Sequence, residues 1–197
     1  MERLFLERPS IERKEDAIDY VNEHIKYNSK INGTGSLNRY IIDEDKTYEM
    51  WLEKINNEWD MEPSELLVPA ETYFLIRESD DKIVGMINIR KMLNNVLIES
   101  GSGHIGYGIR PTERRKGYNK VNLYLGLKRL KELGVKEAML GCVPTNLGSS
   151  KTMKALGAKL SRTTIWNGNM HEVYLIDIDD SLEKYKGTYE KLIKRMW

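Results

Sequence analysis

The stretch GYGIRPTERRKGYN, residues 106–119, carries the strongest structural signal in this sequence. An apolar segment of small residues runs into a basic turn that contains Gly117, and a helical pattern over 120–133 follows at once. Such a turn exposes backbone N–H groups, and the N-terminus of the helix adds a partial positive charge. Arg114, Arg115 and Lys116 add full charges. The order strand, basic glycine turn and helix therefore predicts a site that holds a pyrophosphate.

The composition requires any anion site to be local. The 197 residues contain 31 Lys and Arg and 30 Asp and Glu, for a net charge of +1, so the whole protein has no general attraction for nucleic acid or membrane. The single cysteine, Cys142, excludes a disulfide within the chain and a cysteine-cluster metal site. No apolar run approaches the ~20 residues of a membrane span, and the N-terminal residues lack a signal-peptide core. We expect one cytoplasmic domain.

The order of hydrophobic patterns indicates a mixed α/β protein of the α+β kind. Helices are predicted over 11–25, 47–59, 120–133, 149–156 and 181–196. Strands are predicted over 4–7, 72–77, 82–90, 104–109, 137–143, 158–166 and 170–178. Asn167-Gly168 joins the last two strands as a hairpin, whereas the segment 93–100 is ambiguous. This order predicts one largely antiparallel sheet flanked by helices rather than a doubly wound fold.

Two motifs resemble those of the GNAT N-acetyltransferases. Arg114-x-x-Gly117-x-Asn119 is similar to the acetyl-CoA motif of that family, Gln/Arg-x-x-Gly-x-Gly/Ala. About thirty residues later, Asn146 with Ser149 and then Leu156-Gly157 follow the spacing of the family's Asn-x-x-Ala…Leu-Gly-Phe segment. The resemblance covers residues 72–177 and, more loosely, the N-terminal strand and helices.

The resemblance implies a single GNAT-like acyl-CoA acyltransferase domain over 1–197, with a cofactor core over 72–177 and a C-terminal helix over 181–196. It implies acetyl-CoA as co-substrate, no metal, and direct transfer of the acetyl group to a primary amine. The residues that it places at the cofactor are Ile109, Arg114, Arg115, Lys116, Gly117, Tyr118, Asn119, Asn146 and Ser149.

Two positions depart from the family pattern. Asn119 stands where the family prefers Gly or Ala, and a helix start tolerates a small polar residue such as asparagine. Met153 stands where many members have the tyrosine that protonates the departing CoA thiolate, and methionine has no proton to donate. A CoA thiol ionises near pH 8–9, so the step can also use another group or water.

Catalytic residues are less well defined than the cofactor site. In the family's fold a backbone N–H near Ile109 would polarise the acetyl carbonyl. His104 and Glu99 are the candidates for the base that deprotonates the amine. The competing interpretations are a strand histidine, a solvated carboxylate at the rim and, for Tyr107, a core tyrosine. No metal-ligand spacing connects the three histidines, which are His24, His104 and His171.

Two other functions remain open, and so does the acceptor. The absence of the tyrosine acid at Met153 suits a non-catalytic CoA-binding or sensing module. Nucleic-acid binding could use a basic set, although the balanced net charge argues against it: Arg110, Arg114, Arg115, Lys116, Lys120, Lys128 and Arg129. The acceptor is a small-molecule or peptide amine that the sequence does not identify. A homodimer contact through the Trp197 end is also left open.

Overall fold

Two antiparallel sheets frame the protein in the computed structural model, which describes residues 2–194. The first sheet has the order β1-β2-β3-β4, formed by Leu4–Glu7, Ala70–Arg77, Lys82–Arg90 and Ile105–Ile109. The second has the order β5-β7-β6, formed by Glu137–Cys142, Asn169–Asp177 and Lys159–Trp166. All strand neighbours within these sheets are antiparallel. The α+β class is confirmed, whereas the expectation of one sheet is corrected to two.

The described residues form seven α-helices: α1 Lys14–Lys26, α2 Leu37–Ile42, α3 Tyr48–Glu58, α4 Asn95–Glu99, α5 Tyr118–Glu132, α6 Leu147–Lys154 and α7 Ile178–Tyr189. The sequence did not predict α2 and left α4 ambiguous. The last helix begins three residues before the predicted start at Ser181, because the Asp177 side chain accepts the Asp180 N–H and caps it. It ends at Tyr189, well before the predicted end at Met196, which lies outside the described residues, as does Trp197.

The first sheet separates two apolar cores. On one face α5 packs through a stripe at helical spacing, formed by Leu123, Leu127 and Leu130, against strand residues such as Ile87. On the other face α1, α2 and α3 cover the sheet with a second buried cluster that includes Trp51. Within residues 2–194 no helix has both the length and the apolar character that crossing a membrane would need.

The two sheets meet at one place and then diverge. A bridge joins Gly103 to Leu140, and the His104 N–H donates to the Met139 carbonyl at 2.7 Å. Backbones approach so closely there that a Cβ on Gly141 would lie 2.0 Å from the Gly101 carbonyl oxygen. Beyond this point no ladder joins β4 to β5 in the described part of the chain. A cleft therefore opens between the sheets, toward the ends of β4 and β5.

Candidate active site

The basic turn after β4 presents a row of unpaired backbone donors. A 3₁₀ turn, Pro111–Glu113, follows β4 and leads to Arg114 and α5. Arg115 and Gly117 both have positive φ, 67° and 85°, so the turn curls toward the helix axis. Within residues 2–194, no acceptor binds the N–H groups of residues 115–119. Five such donors at the N-terminus of a 15-residue helix are the kind of groups that an anion would bind.

The basic side chains of the turn have different roles. Arg114 shapes the turn, because its Nε donates to the Ile109 carbonyl at 3.2 Å and its Nη2 to Ser29 Oγ at 2.6 Å. Lys116 donates to Glu113 Oε2 at 2.8 Å. Arg115 is exposed and makes no hydrogen bond or ion pair with any described residue. Arg115 is therefore the cation of the turn that is available to an outside anion.

Glu113 fixes the turn through hydrogen bonds with basic side chains. Its carboxylate is buried and accepts from Arg77 at 2.6 Å as well as from Lys116. Burial alone would raise the pKa of Glu113, but the hydrogen bonds from Lys116 and Arg77 outweigh it and the pKa lies below its usual value. The carboxylate is thus ionised at neutral pH and fixes the position of the turn.

Helix α6 borders the same cleft from the β5 side. Asn146 is its N-cap, and its Oδ1 accepts the Ser149 N–H at 3.1 Å. Asn119 of α5 contacts α6 through its Nδ2, which lies 3.5 Å from Thr152 Oγ1. The Oδ1 of Asn119 is buried and has no hydrogen-bond partner in the described chain. The two motifs found in the sequence therefore lie on neighbouring helices, as the resemblance requires.

The free edge of β4 faces the cleft. Ladder bonds to β3 run from Arg90 N–H to the His104 carbonyl (2.8 Å) and from Arg110 N–H to the Val84 carbonyl (2.9 Å). Because antiparallel strands alternate inward and outward groups, the intervening odd-numbered residues turn their N–H groups away from β3. They are Ile105, Tyr107 and Ile109. None of these three N–H groups has an acceptor within residues 2–194, so all three are open toward the cleft.

Tyr107 spans the gap between β4 and α6. Its hydroxyl lies 2.9 Å from Ser149 Oγ, and Ser149 in turn interacts with the thiol of Cys142. Burial raises the pKa of both Tyr107 and Cys142, so both groups stay protonated at neutral pH. Met153 is fully buried in the apolar core and does not border the cleft. Sequence analysis favoured a core role for Tyr107 because its partner Ser149 is 42 residues away.

The two candidate bases occupy different environments. His104 is buried where the sheets meet, and its Nδ1 accepts the Met139 N–H at 3.0 Å. Burial, with the nearby Arg90 charge, lowers the pKa of His104 and keeps the ring neutral, so its proton is on Nε2. In this state Nε2 is a donor and not a base. Glu99 is exposed at the end of α4, and its carboxylate makes no hydrogen bond or ion pair with a described residue.

A glycine-containing loop, residues 32–36 (NGTGS), covers the face of β4 that lies opposite α5. A Cβ built on Gly33, which has φ +73°, would lie 2.5 Å from Tyr107 Cα. A Cβ on Gly108 would lie 2.7 Å from the Asn32 carbonyl oxygen. The sequence shows two glycines in this loop but does not predict its contact with β4, because contact between two backbones leaves no side-chain pattern. The loop forms one wall of the cleft.

The basic residues proposed for nucleic-acid binding are mostly engaged within the fold. Arg110 is buried and binds Asp19 and Glu23, at 2.6 Å and 3.0 Å. Arg129 binds both oxygens of Glu71. Lys116 and Lys128 also pair with carboxylates. Among residues 2–194, no set of three or more His, Cys, Asp or Glu residues is arranged to hold a metal ion.

Comparison with known proteins agrees with this geometry. The family model described as the acetyltransferase (GNAT) family matches residues 15–158. No curated protein matches the sequence. Similar solved structures include Mycobacterium smegmatis RimJ in complex with CoA-disulfide (12% identity, TM-score 0.67), which covers 94% of this chain and 92% of its own.

Two further structures share the fold. Vibrio cholerae SpeG, a spermidine/spermine N-acetyltransferase crystallised in mutant forms, has 13% identity and a TM-score of 0.61, with 92% of this chain and 98% of its own covered. The microcin C7 self-immunity acetyltransferase MccE, in complex with acetyl-CoA and AMP, has 18% identity and a TM-score of 0.62, with coverages of 89% and 92%. Because the family model spans most of the sequence, the chain belongs to the GNAT family of acetyltransferases.

Proposed function

We propose that the protein is an acetyl-CoA-dependent N-acetyltransferase that moves the acetyl group directly from the thioester to a primary amine. The observation that carries this proposal is the alignment of two rows of unpaired N–H groups. One row is at the turn before α5 and the other is along the free edge of β4. Similar structures support the choice, since MccE was solved with acetyl-CoA and AMP and SpeG is a spermidine/spermine N-acetyltransferase.

The turn binds the pyrophosphate in this proposal. The N–H groups of residues 115–119 and the guanidinium of Arg115 supply the donors, and the helix terminus adds its partial charge. Tyr118 and Asn119 take part through their backbone, while Arg114 and Lys116 hold the turn in shape. Asn146 and Ser149 contribute from α6 on the other side of the cleft.

The β4 edge acts on the reacting carbonyl. An N–H among Ile105, Tyr107 and Ile109 polarises the acetyl oxygen and stabilises the oxyanion that forms when the amine attacks. The C–N bond forms, the C–S bond breaks, the nitrogen loses one proton and the thiolate gains one. We assign the Tyr107 hydroxyl as the donor of the proton that the thiolate gains, because Met153 is sealed in the core.

The proton that leaves the amine goes to solvent in the cleft in this proposal. His104 lies beside the cleft but has its Nδ1 lone pair occupied by the Met139 N–H, and Glu99 is exposed on α4. We therefore expect Glu99→Gln to keep kcat/KM. We expect the pH profile of the wild type to follow the pKa of the acceptor amine rather than that of an enzyme group.

Thiol release from acetyl-CoA, measured over a panel of primary amines, tests the function. The wild type should release CoA only when an acceptor is present. Tyr107→Phe should lower kcat roughly 10²-fold while leaving the affinity for acetyl-CoA unchanged. Tyr73→Phe is the matched control, since that hydroxyl donates to Glu71 on β2, two strands away from β4, and the variant should keep full kcat. Equal kcat in Tyr107→Phe and Tyr73→Phe would remove Tyr107 from the mechanism.

A second candidate function is a non-catalytic module that binds or senses CoA. The burial of Met153 at the position of the family's acid favours it. The same assay separates the two functions, because a sensing module would bind acetyl-CoA yet release no thiol with any amine of the panel.

We also propose that residues 1–197 form one domain whose cofactor core spans about 72–177. Strand β1 pairs with β2 along its length, and Leu4 forms a bridge to Ile193, so both ends of the described chain join the same sheet. A cytoplasmic location is part of the proposal, because the single thiol, Cys142, is buried and unpaired.

A further inference from the structure

Arg90 lies on the face of β3 that points toward the wall of the cleft. It is the last residue of β3, and its N–H donates to the carbonyl of His104, so the two are neighbours across the ladder and share a face. Asn88, two residues earlier on this face, donates to Thr72 Oγ1. A Cβ on Gly35 would lie 2.7 Å from that oxygen. The Arg90 side chain therefore points toward the glycine loop and α3, away from α5.

The Arg90 guanidinium has no carboxylate partner within residues 2–194. Its one hydrogen bond in the described chain runs from Nη1 to the Gly103 carbonyl at 3.1 Å. Arg77, Arg110 and Arg129 are all bound by carboxylates, whereas no described carboxylate lies within 4.0 Å of Arg90. Glu58 is near enough to act electrostatically, but its Oε1 binds Lys54 at 2.6 Å.

Burial destabilises the charged form of Arg90. Removal from water lowers the pKa of Arg90, and the negative charge of Glu58 only partly opposes that effect. A guanidinium withdrawn from water is stable when two carboxylate oxygens bind its fork. Its Nε and Nη2 have no partner among residues 2–194, and neither atom is sealed from solvent. One of the five N–H donors of the guanidinium is therefore used within residues 2–194, and the fork is open to a ligand.

A second donor lies beside it. His104 carries its proton on Nε2, since Nδ1 accepts the Met139 N–H, and Nε2 is also unpaired and not sealed. From His104 to Tyr107 the strand advances three residues, or about 10 Å. An acceptor that reaches both places would have its anionic group at Arg90 and its amine near the β4 edge.

We propose that Arg90, assisted by the Nε2–H of His104, binds a carboxylate of the acceptor, so that the preferred acceptors are amines that also carry a carboxylate. This inference rests on the proposed acetyl transfer in the cleft. It distinguishes amino acids and their derivatives from polyamines, which carry only positive charge and would be repelled by Arg90.

Matched pairs of acceptors test the inference. Thiol release would be measured at saturating acetyl-CoA with alanine and alaninamide, 4-aminobutyrate and 4-aminobutanamide, and 6-aminohexanoate and 6-aminohexanamide, with kcat/KM expressed per unprotonated amine. The wild type should prefer the acid of at least one pair by roughly 10- to 100-fold. Arg90→Met should abolish that preference by lowering kcat/KM for the acid to the level of the matching amide, and Arg90→Lys should keep part of it. Arg3→Met, at an exposed pair with Glu78, is the control.

The opposite results are equally clear. A wild type that prefers the amides or spermidine, or an Arg90→Met variant that keeps the preference for acids, overturns the inference and leaves the acetyltransferase proposal standing. If no amine releases thiol, the acetyltransferase proposal fails. Calorimetry with N-acetylalanine and N-acetyl-6-aminohexanoate in the presence of CoA then decides the carboxylate site: binding that Arg90→Met removes supports it, and the absence of binding overturns it.

Discussion

Gly33→Ala should damage both the stability and the activity of the protein. The new Cβ would lie 2.5 Å from Tyr107 Cα and 2.6 Å from the Gly106 oxygen, and backbone atoms of a sheet cannot yield. Reaching an ordinary contact of 3.4 Å requires the loop to rise by about 1 Å. Overpacking of this kind costs roughly 1–3 kcal/mol. The φ of +73° adds about 1 kcal/mol, so we expect a loss of roughly 2–4 kcal/mol.

Gly134→Ala is the matched control for that variant. Gly134 has nearly the same φ, +82°, but a Cβ there meets nothing within 4 Å. It should lose only the conformational term of about 1 kcal/mol and keep full activity. The free energies of unfolding of both variants, measured in urea, separate the cost of the positive φ from the cost of the steric contact. A 1 Å rise of the loop should also lower kcat about 10²-fold in Gly33→Ala without changing acetyl-CoA binding. Equal stability and equal kcat in the two variants would refute the position given to the loop.

Three further predictions concern single side chains. Burial lowers the pKa of His24 to about 4 from an unfolded value of 6.5, so the unfolded state binds the proton first. The free energy of unfolding should therefore fall as pH drops from 6.5 toward 4, with a limiting slope of about 1.4 kcal/mol per pH unit, and His24→Leu should flatten it in this range. Asn119→Ala removes a buried oxygen without a partner and should raise the free energy of unfolding by roughly 1 kcal/mol in urea melts; a loss above 1 kcal/mol would show that the contact to Thr152 dominates. Arg129→Met leaves the buried Glu71 without its bidentate partner and should cost about 3 kcal/mol, whereas Arg115→Met should cost none.

The sequence predicted the local elements well because their signals are local. The bounds of β3 over 82–90 follow from a run of β-branched residues between two turns, and the turn before α5 follows from glycine and charge. Leu37–Ile42 was missed because six residues after a glycine loop form less than two turns of periodic pattern.

Long-range features were beyond the sequence patterns. The division into two sheets depends on close backbone contact at Gly103 and Gly141, which leaves no periodicity to detect. The state of His104 depends on the Met139 N–H, 35 residues away. The missing carboxylate partner of Arg90 can be seen only when the whole fold is known. Two motifs predict where the cofactor binds, and that stays a prediction, whereas no sequence pattern indicates the acceptor side.

Calorimetric titration with acetyl-CoA and with S-acetylpantetheine shows whether the turn binds a pyrophosphate. We predict that acetyl-CoA binds at sub-millimolar concentration and that S-acetylpantetheine, which lacks the pyrophosphate, binds far more weakly. We also predict that Arg115→Glu, which reverses the one free cation found in the turn among residues 2–194, weakens binding of acetyl-CoA but not of S-acetylpantetheine. Equal affinities for the two compounds, or no binding of acetyl-CoA, would contradict the assignment of the turn as a pyrophosphate site.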